Sequence, residues 1–76
     1  MLGTVLINCQ AGKINKVIDG IKDLKGITDV YSTLGRWDIL VRINVSTIKE
    51  MDKITILIKT KEGVHDVETL MMKTHR

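Results

Sequence analysis

Apolar residues recur along the chain with two periods, near 2 and near 3.6, and the switches between them mark six elements. Thr4-Val5-Leu6-Ile7-Asn8-Cys9, rich in β-branched and apolar residues, predicts a first strand, which Gln10-Ala11-Gly12 breaks. Ile14, Val17, Ile18, Ile21 and Leu24 then follow the i, i+3, i+4, i+7 spacing of an amphipathic helix, with Lys13, Lys16, Asp19, Lys22 and Asp23 opposite. Gly20 costs that helix roughly 1 kcal/mol, and Gly26 fits as its C-terminal stop. Ile27 to Leu34 predicts a second strand and Asp38 to Val45 a third, with only Gly35-Arg36-Trp37 between them, the length of a tight hairpin. Thr47 and Glu50 form a capping box ahead of a second helix whose inner stripe is Ile48, Met51, Ile54 or Thr55, and Ile58. Lys59-Thr60-Lys61-Glu62 closes that helix before Gly63, and Val64 to Met72 predicts the last strand.

The order βαββαβ describes two right-handed split βαβ halves that interleave. The expected fold is α+β and ferredoxin-like: a four-stranded antiparallel sheet with two helices on one face. The helices should cover Val5, Ile7, Val41 and Ile43. Leu6, Leu40, Leu70 and Met72 should look out on the other face, among Asn8, Arg42, Asp66 and Glu68. Several large apolar groups on an open sheet call for a partner that covers them.

Size strengthens that expectation. At 76 residues the chain is one domain, 1–76, and buries only about 60% of its unfolded surface. It has one cysteine, Cys9, so no internal disulfide can form, and no Cys/His cluster suggests a metal. Self-association is the remaining source of stability. The apolar runs are far too short for a membrane span, and the opening Met1-Leu2-Gly3-Thr4 lacks the pattern of a secretory signal. A free thiol without a signal suggests the cytoplasm. The net charge of +3 is spread over helical faces and the tail Lys73-Thr74-His75-Arg76, so a solvated surface is favoured over a nucleic-acid footprint.

Function has to be read from sites, since this topology serves many. RNA recognition needs base-stacking aromatics on the central strands, where only aliphatics and Arg42 stand. A soft-metal carrier needs paired cysteines in the first loop. Cys9 is single, lies inside a strand, and reads as a small buried hydrophobe. An acylphosphatase-like enzyme needs an arginine in a glycine-rich first loop, but Gln10-Ala11-Gly12-Lys13 has none. Lys13 and the helix terminus keep only a generic capacity for anions. His65 reads as a strand surface residue and His75 as a tail residue, and no catalytic constellation is present. The outlier is Gly35-Arg36-Trp37-Asp38, where the single tryptophan sits between a turn glycine and an acid. Plain turn chemistry and ligand binding both fit it.

That hairpin, continued by Ile39-Leu40-Val41-Arg42, resembles the Gly-x-aromatic-Asp hairpin of the Lrp/AsnC ligand-binding domain, also called the RAM domain. Val5-Leu6-Ile7 with Ala11-Gly12-Lys13 is similar to the family's first strand and turn. Leu24-Lys25-Gly26-Ile27 through Val30-Tyr31 is similar to its entry into the second strand, and Glu62-Gly63-Val64 with Val67-Glu68-Thr69 to its ending. The likeness spans residues 4 to 72. It implies a non-enzymatic amino-acid-sensing module, without cofactor or metal, that pairs through its sheet into dimers and assembles into rings, commonly octamers. The implied ligand-binding residues are Thr33, Gly35, Arg36, Trp37 and Asp38, joined by Thr69 and Leu70 of an adjoining subunit. In those roles the backbone near Gly35 donates to the effector's carboxylate, Asp38 accepts from its ammonium, and Trp37 either supplies an apolar wall for the side chain or locks the neighbouring dimer. Arg36 departs from the acidic, proline or small residues frequent in the family; it could clamp the effector's carboxylate, favour an acidic side chain, or simply face solvent. Full-length family members carry a helix-turn-helix before this domain. With Met1 so near the first strand, the expectation is a stand-alone form, or a domain excised from a longer regulator, that does not itself touch DNA. Two alternatives stand beside it: a ligand-independent assembly partner of full-length Lrp-like regulators, and a small ferredoxin-like enzyme, such as an acylphosphatase, acting on an anion through Lys13 and the first helix terminus.

Overall fold

The computed structural model describes residues 1–72; the expectations placed on Lys73, Thr74, His75 and Arg76 fall outside them. The elements run β1 (Leu2–Cys9), α1 (Ile14–Ile21), β2 (Ile27–Ser32), β3 (Ile39–Asn44), α2 (Ile48–Lys59) and β4 (Val64–Met71). The antiparallel sheet has the order β2-β3-β1-β4, which puts β1 and β3 at the centre, as the ferredoxin-like plan requires. Val5, Ile7, Ile39, Val41 and Ile43 are buried beneath Val17 and Ile21 of α1 and Met51, Ile54 and Ile58 of α2. No helix among the described residues is long and apolar enough to cross a membrane.

Four sequence expectations are corrected. The first helix does not reach Leu24: it ends at Ile21, and the chain turns through Leu24 N–H to Ile21 carbonyl and Ile27 N–H to Leu24 carbonyl bonds. Gly26, at a φ of 96°, shapes this turn rather than the helix end. Ile48 is not on the buried stripe but 58% exposed. Met51, one turn later, already packs over Gly3 near the start of β1, so the first turn of α2 overhangs the sheet. Thr47 caps α2 as expected, accepting from the Glu50 N–H, but the Glu50 carboxylate reaches back to the Ser46 N–H. The fourth correction concerns the β2–β3 connection. It runs from Thr33 to Asp38, twice the expected length: the Thr33 N–H closes the loop on the Asp38 carbonyl, while the Asp38 N–H turns away from β2 to the Ile7 carbonyl of β1.

The face away from the helices carries the expected residues and two more. Register across the sheet gives one row of Tyr31, Leu40, Leu6 and Glu68 and a neighbouring row of Asp29, Arg42, Thr4 and Leu70. Leu2 and Tyr31 thus join Leu70 and Met72 as large exposed apolar groups on this face.

Candidate functional site

The hairpin loop is braced by four contacts. The Thr33 N–H donates to the Asp38 carbonyl at 2.9 Å, and the Thr33 hydroxyl donates to the Trp37 carbonyl. Asp38 is then drawn to the central strand: its N–H donates to the Ile7 carbonyl at 2.9 Å, and its Oδ2 accepts from the Cys9 N–H at 2.7 Å. The carboxylate therefore continues the β1–β3 ladder where β1 ends. Its Oδ1 accepts no hydrogen bond among the described residues and is open to a ligand. Burial, and secondarily the Asp38 charge, push the Cys9 thiol upward, so it is held in its neutral form.

Between these anchors the loop projects outward. Gly35 adopts a φ of 105°, which a side chain would strain, and open space surrounds the position a Cβ would take. Leu34 is fully exposed. Arg36 is also exposed, and its Cζ lies over the half-buried Trp37 ring at 5.5 Å from the centroid. Leu34 escaped sequence reasoning, which counted it as the last residue of β2; its signal was an apolar residue placed directly before a turn glycine.

Thr69 and Leu70 are not brought to this hairpin within one chain. Thr69 pairs with Val5 two strands away, and its hydroxyl lies 3.1 Å from that of Thr55 on α2. Leu70 projects onto the opposite, open face, half exposed. A groove of about 890 Å³ over Leu24, Gly26, Val45, Ile54 and Leu57 lies at the other end of β3 from the hairpin. Size alone would favour it as a ligand site. The hairpin nevertheless has the stronger chemistry, with an oriented guanidinium, an indole, a carboxylate and a positive-φ glycine in four consecutive residues. Lys13 is half-buried with its stem against Gly63, and its N–H is spent on the Gln10 carbonyl, which leaves little of a phosphate loop. No group of three potential metal ligands is found among the described residues.

A family model described as the Lrp/AsnC ligand binding domain matches residues 3–75. The chain belongs to that family. The Lrp/AsnC domain is 31% identical over 77 aligned residues to the HTH-type transcriptional regulator FL11 of Pyrococcus horikoshii, covering all of this chain and 51% of that protein. It thus spans about half the length of the curated relatives it matches. Among solved structures, TTHA0845 from Thermus thermophilus superposes with a TM-score of 0.90 at 26% identity, covering 99% of this chain and 96% of the other. The transcriptional regulator NMB0573 of Neisseria meningitidis, solved as a complex with L-Met, gives 0.81 at 10% identity, with 99% and 51% covered. At that identity the likeness is one of fold. The relatives are transcriptional regulators, and this Lrp/AsnC chain corresponds to their ligand-binding domain.

Proposed function

We propose that residues 1–76 act as one amino-acid-effector-binding and oligomerisation domain serving transcriptional regulation in the cytoplasm. The supporting observation is the hairpin: a braced, outward-facing wall with Leu34 fully exposed and no opposing wall among the described residues. A ligand seated there is enclosed only when a second subunit faces it. The effector's carboxylate takes donors at the tip, its ammonium takes Asp38 Oδ1, and Trp37 contacts the side chain. Thr69 and Leu70 of a neighbouring subunit are the proposed far side. The apolar row Tyr31, Leu40, Leu6 supplies the dimer face, and dimers close into a ring, an octamer in the simplest case. The regulator bound to L-Met shows this fold in company with an amino acid, which agrees with the reading. The open apolar face also favours a second reading, in which the domain assembles with full-length Lrp-like regulators without a ligand.

Titration calorimetry over a panel of the common amino acids tests the first reading. One or a few should bind wild type, and Asp38→Asn should weaken them by about tenfold or more while the protein stays folded. An assembled, folded wild type that binds none of them leaves the second reading.

A further inference from the structure

We infer that Arg36 is a carboxylate anchor and that the preferred effector carries two carboxylates, as an acidic amino acid does; the inference rests on the hairpin being the effector site. Three observations carry it. The first is orientation. The Arg36 Cζ stands over the Trp37 ring, 5.5 Å from its centroid, and the ring accepts no conventional hydrogen bond, so the guanidinium's planar fork of N–H donors stays available to a carboxylate. The Trp37 backbone beneath it is fixed by the Thr33 hydroxyl, so the cation rides on a braced support and loses little freedom on binding.

The second is the absence of a competing acid. Among the described residues the ion pairs are Lys16–Glu62 and Lys22–Asp19, and Arg36 neither joins an ion pair nor donates a hydrogen bond. The carboxylate nearest in sequence, Asp38, is pulled the other way by the Cys9 N–H.

The third is the count of complementary groups. An acidic amino acid brings one ammonium and two carboxylates. Asp38 Oδ1 suits the ammonium, the open backbone at Gly35 suits the α-carboxylate, and the Arg36 fork suits the second. A neutral amino acid would leave one of the tip's two anion-binding groups, the fork or the backbone, unused. The position of Arg36 sets this preference; an uncharged residue there would not supply it.

The test compares glutamate with glutamine and aspartate with asparagine, by equilibrium binding to wild type, Arg36→Gln and Arg36→Lys. Wild type should bind each acid about 10- to 100-fold more tightly than its amide. Arg36→Gln should abolish that preference with circular dichroism unchanged, since the side chain is exposed. Arg36→Lys should retain only part of it, because an ammonium lacks the fork. Acid and amide bound equally by wild type, or a preference that survives Arg36→Gln, overturns the inference while the effector site stands. If no amino acid binds wild type, the effector reading and the inference fall together.

Discussion

Asp38 does two things that separate at the level of single atoms. Its Oδ2 extends the ladder at the end of β1, and its charge raises the neighbouring Cys9 thiol. Asp38→Ala leaves the Cys9 N–H without its acceptor and should cost about 1–2 kcal/mol in chemical denaturation, the lower end reflecting partial access to water. Asp38→Asn keeps an amide oxygen in reach and should cost clearly less. The same variant removes a negative charge beside the thiol, so the folded-state pKa of Cys9 falls and its thiolate fraction rises at mildly alkaline pH. Alkylation of Cys9 should therefore be faster in Asp38→Asn than in wild type. Equal rates would contradict the electrostatic coupling, and equal stabilities of the Ala and Asn variants would contradict the ladder role. An aspartate after an aromatic at a turn was recognisable in the sequence. Its tie to Cys9, 29 positions earlier, was not, because no local pattern reports which strand will lie beside the loop.

Elements were more legible than their ends. The alternation Ile39, Val41, Ile43 fixed the face of β3, and the 3.6-residue spacing fixed the inner face of α1, because burial on one side is a periodic demand. Ends are set by tertiary competition instead. Ile48 fits the stripe by spacing yet finds no strand beneath it, and Leu24 fits the helix yet packs from a turn. Gly63 shows the same competition. The sequence marks it as a helix terminator, while the structure adds that it admits α1: a Cβ there would lie 2.8 Å from Lys13 Cβ and 3.2 Å from Val17 Cγ2, at a φ of 94°. Gly63→Ala must therefore relieve both backbone strain and a clash against α1. Its denaturation midpoint should drop by an amount equivalent to about 2 kcal/mol or more. A midpoint within error of wild type would mean that α1 shifts freely, contrary to its close packing on Gly63.

For the whole molecule, a small core and an apolar outer sheet face belong together. Among the described residues, the ten buried apolar side chains all lie between sheet and helices, while Leu2, Tyr31, Leu70 and Met72 remain exposed on the far side. Leu6→Arg places a charge in the middle of that far face without entering the core. It should shift wild-type assemblies to monomers in analytical ultracentrifugation while the strands persist by circular dichroism. A wild-type-sized assembly in that variant would move the subunit interface elsewhere. Under the proposed function, amino-acid binding and self-association are linked, each favouring the other by the same free energy. Native mass spectrometry with and without an amino-acid panel reads both quantities in one spectrum. The expected result is an even-numbered assembly that retains a bound amino acid and whose distribution shifts when that amino acid is added. A monomer that binds nothing, or an assembly whose distribution no amino acid alters, would contradict it.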